Sequence, residues 1–322
     1  MNFRFPFQYR AAQRSLIVAL LAASLVTPNA GRSCACGCGI FQVGTSSMLP
    51  MGTGLVTSLD FDYQDQNRNW SGDSRAPAED NPDKDIRTSV ENVSFQEVFN
   101  QDWSARVDLP FEQRHFETTG GASGGDLVSL DFSGIGDTRF QAIYTGLSPG
   151  FVTGLTFGIK LPTGSFTKND AYGDIDRDTE FGSGSTDVIL GAFRRLNIGT
   201  SPDWSGFTQV VLDAPVVTRD GYRPGTELDA SFGVYYSGGT VLGVLVSPAL
   251  QLKGSVRGSD GGPNASHPVA SGFERVLVVP GIEFSRGRVR LDADVGLPAY
   301  QHFTGDQLAA SALFRVSMSY AY

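Results

Sequence analysis

Runs of ten or more residues in which apolar and polar side chains alternate constrain this chain more than any other feature. Phe151, Thr153, Leu155, Phe157, Ile159 and Leu161 interleave with smaller or polar residues ending at Lys160. Val289, Leu291, Ala293, Val295 and Leu297 interleave with Arg290, Asp292, Asp294 and Gly296. Side chains of a β-strand point alternately to opposite faces, so this pattern makes a strand greasy on one face and wet on the other. Ten tilted residues are also the length needed to cross the hydrocarbon layer of a membrane.

Extending that reading along the chain predicts twelve strands: 54–66, 88–99, 103–117, 136–147, 151–163, 185–197, 204–217, 226–238, 241–256, 273–285, 288–301 and 309–322. Most long polar links follow odd-numbered strands and most tight turns follow even-numbered ones, the asymmetry of outer-membrane barrels, with periplasmic turns and extracellular loops. The predicted fold is therefore all-β, a transmembrane antiparallel up-and-down barrel. Lipid satisfies no backbone N–H or C=O, so such a sheet has to close on itself. The 39 glycines and a hydrophobic content of only 40 % suit many short strands and turns better than a large apolar core. A net charge of −9 excludes a nucleic-acid partner, which needs a basic face.

Closure assigns the charges. Lipid-facing charge costs a few kcal/mol at mid-depth, so parity sends Asp60, Asp62, Arg106, Asp108, Glu112, Arg139, Lys160, Asp229, Lys253, Arg275, Glu283, Arg290, Asp292, Asp294 and Arg315 into the lumen. The same parity places Ile189, Phe193, Phe207 and Val211 there as an apolar patch. Prolines 110, 162, 215, 248, 280 and 298 interrupt the predicted strands; lacking a ladder donor, they call for bulges or early ends to pairing.

Three segments make up the chain. Residues 1–30 read as a cleaved secretory signal, with Arg4, Arg10 and Arg14 ahead of the apolar run Ser15–Val26 and a small-residue exit at Ala30. Residues 31–53 form a periplasmic segment holding Cys34, Cys36 and Cys38; residues 54–322 form the barrel. Three alternate thiols suit either a disulfide in an oxidising compartment or a soft metal, but no fourth ligand or C-x-x-C-H motif accompanies them. No resident cofactor is otherwise expected.

Between Ser133 and Leu196 the stretches SGIGDTRFQAIYTG, GLTFGIKLPTGSF and TEFGSGSTDVILGAFRRL carry a G-x-GD strand opening, a K-x-PTG strand end and a glycine-serine strand start. The residues are Gly134, Gly136 and Asp137; Lys160, Pro162, Thr163 and Gly164; and Gly182, Gly184, Ser185 and Asp187. This pattern resembles the meta-pathway phenol-degradation family of outer-membrane barrels. The resemblance implies a channel or transporter, often for hydrophobic or aromatic compounds, in the outer membrane of a Gram-negative cell. The chain end, with Phe314, Val316, Met318, Tyr320 and Tyr322 on one face, is similar to the terminal signal read by the barrel-assembly machinery. Expected partners are outer-membrane lipid, that machinery and a small-molecule solute.

No enzyme motif is found: His115, His267 and His302 lack a companion serine, and no G-x-S-x-G or H-E-x-x-H occurs. The acidic stretch Asp170–Glu180 reads as a solvated loop. The alternative to a channel is a non-transporting structural or partner-binding barrel whose cysteine segment docks or plugs it.

Overall fold

The computed structural model describes residues 49–50, 52–119, 125–170, 173–174, 177–265 and 267–322. The chain divides into the units Met1–Arg32 and Ser33–Tyr322, and every described residue belongs to the second. The expected signal at 1–30 and the thiols Cys34, Cys36 and Cys38 lie outside the described residues.

The expected strands form, most with ends shifted by a few residues, and the expected link after 117 contains one further strand, Val128–Ile135, which pairs with residues 111–118. They are β1 (Gly54–Gly72), β2 (Asp83–Val98), β3 (Trp103–Thr118), β4 (Val128–Ile135), β5 (Thr138–Tyr144), β6 (Thr153–Leu161), β7 (Thr186–Asn197), β8 (Trp204–Val217), β9 (Glu227–Tyr236), β10 (Val244–Arg257), β11 (Phe273–Arg286) and β12 (Val289–Ala321). All pairings are antiparallel, and the ring β1-β2-β3-β5-β6-β7-β8-β9-β10-β11-β12 closes on β1. The ring has eleven strand elements rather than twelve. The difference lies at the end of the chain, where the two last expected strands run on as the 33-residue β12.

β12 nonetheless fills two places. Its first half pairs with β11 from Val289 to Phe303, and its second half pairs with β1 from Phe303 to Ala321. The Ala321 amide then donates to the Arg288 carbonyl at 2.9 Å, so the chain ends beside the point where β12 began. The element is thus a hairpin bent at Thr304–Gly305. A purely antiparallel ring needs an even number of passes, and this bend supplies the missing one.

Prolines act at several of the expected points. At Pro110, β3 changes partner: residues 103–108 pair with β5 and residues 111–118 with β4. β6 ends at Leu161, just before Pro162. The registers shift at Pro215, and the β11–β12 ladder lapses at Pro280 and shifts again by Pro298. Pro248 is the exception, sitting in an unbroken β10–β11 register.

Long links gather at one end of the barrel and tight turns at the other. The side chain of Asn100 caps one turn, accepting from the amides of Asp102 and Trp103 at 2.8 and 2.9 Å. The turn end also carries an outward aromatic belt, with Trp103 against Tyr144 at 4.9 Å and Trp204 against Tyr236 at 5.0 Å. Tryptophan and tyrosine favour this place because their rings suit the acyl boundary and their polar atoms the headgroups. Between the ends, Leu59, Phe61, Phe157, Leu252 and Leu291 face outward while their strand neighbours are buried or half-buried. Phe314, Val316, Met318, Tyr320 and Tyr322 share that outer face; Ala310, on the same parity, does not. A register shift between Gln64 and Gln66 turns Ala310 inward to pack with Leu313, Leu277 and Val279.

Candidate functional site

Inside the ring, strand parity concentrates charge that lipid would reject. Of the fifteen expected inward groups, eleven are buried and Glu112, Arg139, Arg275 and Arg290 are half-buried. They meet one another across strands and, at Arg106 and Asp108, along one. Arg315 reaches Asp60 at 3.0 Å, Arg106 reaches Asp108 at 2.8 Å, and Arg290 reaches Glu283 at 3.2 Å. Ser94 adds to the second pair, donating to Asp108 at 2.7 Å and accepting from Arg106 at 2.8 Å. Buried charges persist only when each is paired and hydrogen-bonded, because their desolvation costs several kcal/mol per ion.

A cavity of about 340 Å³ lies within this network. Asp60, Asp62, Arg106, Asp108, Glu112, Arg139, Lys160 and Arg315 line it. The other seven expected groups, on β9 to β12, do not. Opposite the charged β1, β3 and β12 stand Ile189, Phe193 and Val211, while Phe207 lies fully buried beside them. The rings of Phe193 and Phe207 lie flat over Gly154 and Gly233, where any Cβ would occupy the same space. The apolar patch therefore depends on glycines in adjacent strands.

At the loop end the three sequence motifs converge on one carboxylate. Asp137 accepts from the Gly164 amide at 3.1 Å, the Ser183 amide at 2.9 Å and the Ser183 hydroxyl at 2.7 Å. Lys160 lies 3.9 Å from Asp137 and 2.5 Å from Asp187, and Ser185 donates to Asp187 at 2.5 Å. Thr163 donates to the Gly136 carbonyl at 2.9 Å and accepts from the Thr138 amide at 2.8 Å. Gly164 and Gly182 touch backbone to backbone, an approach that a side chain on either would block. The motifs form a clasp.

That clasp turns the loop between β6 and β7 inward. Thr179, Glu180 and Phe181 are buried, so the end of the acidic stretch is not the solvated loop its composition suggests; residues 171–172 and 175–176 lie outside the described residues. Arg114 donates to the Thr179 carbonyl, and Glu180 accepts from the Lys168 amide. Phe181 stacks on Phe132 at 4.9 Å with the Lys168 ammonium 4.7 Å above its ring. Arg177 sits between Phe166 and Tyr222, and Tyr222 donates to Asp260 at 2.8 Å, which draws the two following loops into the same roof. Such cation–ring contacts contribute about 0.5–2 kcal/mol each, more where water is excluded.

Burial pushes the Glu180 carboxyl above its ordinary range, with Lys168 only partly offsetting the effect. A carboxyl with a raised pKa in the inward loop holds its proton more tightly there. The inward fold is then firmest below the ordinary glutamate range and weakens as pH rises through the raised value. Limited proteolysis of the loop is expected to speed up as pH climbs above the ordinary glutamate range, relative to Glu180→Gln, which should lack that rise. A pH dependence unchanged by the substitution would contradict this role.

The turn end carries a second closure. Leu49 is 5 % exposed and packs with Ile143, Phe193, Phe207 and Tyr235. The Arg195 guanidinium donates to the carbonyls of Pro50 and Leu49 at 2.8 and 2.9 Å. Leu49 and Pro50 are thereby fastened into the barrel interior, with Leu49 reaching the cavity.

Sequence reading missed Asp213 and Glu227 as lining groups, although Val211 and Asp229 share their parity. It also missed Arg114 and Tyr222, which act through loops whose fold no periodicity records. His115 shares the outward parity of Leu109 and Phe111 on β3 and is bonded to Asp131 at 2.8 Å and Glu117 at 3.3 Å. With Asp85 it forms the one metal-ligand grouping among the described residues, but Arg87 already lies 2.5 Å from that carboxylate. His302, expected in a loop, stands in β12 and bonds Asp73 at 2.7 Å.

No protein-family model matches the sequence, and no curated protein does so. Among solved structures the chain is similar to an outer-membrane channel from Pseudomonas putida F1. The TM-score is 0.66 at 14 % identity, over 87 % of this chain and 100 % of that one. The fold is that of an outer-membrane, porin-like barrel. It also aligns with the β domain of the Bordetella autotransporter BrkA at TM-score 0.48 and 11 % identity, over 84 % of this chain and 100 % of that one. The CymD monoaromatic hydrocarbon channel gives 0.44 and 11 %, over 84 % and 89 %. These two likenesses are too loose to carry an argument.

Proposed function

We propose that this barrel is a gated outer-membrane channel for small amphipathic solutes, aromatic ones among them, in a Gram-negative envelope. The observation that carries the reading is the axial cavity, bounded by chain segments at both ends rather than filled by wall side chains. Twelve passes make a barrel between the filled eight-stranded and the open sixteen-stranded types, so any pore is narrow. A cavity of about 340 Å³ accommodates one substituted ring with some water, given that about 150 Å³ suffices for benzene. Ile189, Phe193 and Val211 offer the ring an apolar wall, and the charged wall opposite keeps the path wet.

The likeness to a channel supports this reading at the level of fold, and the convergence of the motif residues on Asp137 supports kinship with the phenol-degradation family. In the same reading, the long loops face outside and the N-terminal segment is a periplasmic plug seated at Leu49. Outward Phe314, Val316, Met318, Tyr320 and Tyr322 serve as the assembly signal.

Refolded mature protein in planar bilayers tests the proposal. Discrete conductance steps are expected, and Arg195→Ala should enlarge or lengthen them by freeing Leu49 and Pro50. Bilayers that stay closed for both proteins at every voltage would refute the channel.

A further inference from the structure

The charges around the cavity are not balanced. Its lining holds ten carboxylates and seven basic side chains. Every one of those seven lies within 4.0 Å of a carboxylate, so none is left to attract an anion. Two of the partners, Asp220 and Asp260, come from outside the lining, which leaves still more negative charge facing the space.

Asp62 and Glu227 are the surplus that matters. Asp62 is 6 % exposed and projects from β1 into the cavity; Arg315 stands opposite it in register but reaches for Asp60, and the Asp62 Oδ1 is sealed without a hydrogen-bond partner among the described residues. Glu227, on β9 across the lumen, has a sealed and unpartnered Oε1 of its own. A sealed carboxylate oxygen with no donor is costly, so each marks a place where a further cation would be held. Two strands from Glu227, past the Arg139-paired Asp213, the wall turns apolar at Ile189.

We infer that the cavity is a cation-selecting site, built to take a small ring-bearing ammonium in preference to a carboxylate of the same size. The ring lies against Ile189 and Val211, and the ammonium donates to Glu227 or Asp62. The inference rests on the channel reading and sharpens it by naming the charge of the solute. Low-dielectric walls strengthen the effect, because a field focused in a narrow polar path is screened less than one at a surface.

The test is the reversal potential of the refolded full-length mature protein under a potassium chloride gradient, with benzylammonium and benzoate as probes. Potassium is expected to be several-fold more permeant than chloride. Benzylammonium should reduce the potassium current while benzoate at equal concentration does not. Asp62→Asn and Glu227→Gln should each lower the permeability ratio, and together bring it near unity. Glu227 is half-buried near the loop end, so its substitution keeps the test decisive if Asp62→Asn fails to fold. Conductance that favours chloride, or a ratio unmoved by Glu227→Gln, would overturn this inference and leave the channel standing. Silence from wild type and Arg195→Ala alike would overturn both.

Discussion

Asp137→Ala is expected to release the inward loop and raise the population of the open mouth about a hundredfold. The carboxylate accepts three hydrogen bonds from Gly164 and Ser183, the two ends of that loop. Bonds to a charged group contribute about 1.5–3 kcal/mol each, and part of that loss is recovered when water reaches the freed donors. A net weakening of about 3 kcal/mol corresponds to the hundredfold change. Trypsin reads it directly: Arg177 is held between Phe166 and Tyr222 and should become cleavable in the folded barrel. Asp137→Asn, which keeps an acceptor oxygen, should fall between. Equal cleavage rates for wild type and the alanine variant would show that the clasp does not hold the loop.

The second large effect is on stability. Arg315→Met removes the guanidinium from Asp60, a carboxylate only 1 % exposed, and strands that charge inside the wall. Breaking one side of a buried pair costs about 3–5 kcal/mol, whereas replacing both sides can be nearly neutral. The single variant should unfold at a clearly lower temperature in a heat-modifiability gel, and adding Asp60→Asn should restore most of the loss. If the double variant were the less stable of the two, the pair would have to contribute through something other than charge compensation.

The wall of this barrel was legible in the sequence because membrane strands obey a strict parity. Leu291 and Asp292 cannot exchange faces without placing a charge in lipid, so the choice is made residue by residue. The expected boundaries at 103, 204 and 273 coincide with strand starts for that reason. Parity failed at Ala310, where a bulge shifts the register, and at the end of β12, where the expected break is a bend within one element. The site was legible only in part. Asp60, Arg106 and Arg315 follow from alternation, and Asp137 and Lys160 from the motifs. The roof does not follow: Arg114, Phe181 and Tyr222 meet through loops whose course is set by long-range contacts. A composition reading of Asp170–Glu180 sees acids and predicts water, but Glu180 is folded inward by Asp137 and Arg114.

The seam of the ring has a consequence for the life of the chain. β1 is held on one side by the second half of β12, from Val56 against Ala321 to Tyr322 donating to Leu55. No partial cylinder exists while the ribosome is still at work, since the opening staves wait for the closing ones. Closing so long a loop is entropically demanding and slow. A prematurely stopped polypeptide would bring two bare borders to the bilayer and remain a client of periplasmic chaperones and proteases. Closure is thus built into the architecture as a checkpoint, set by the pairing of β1 with the second half of β12.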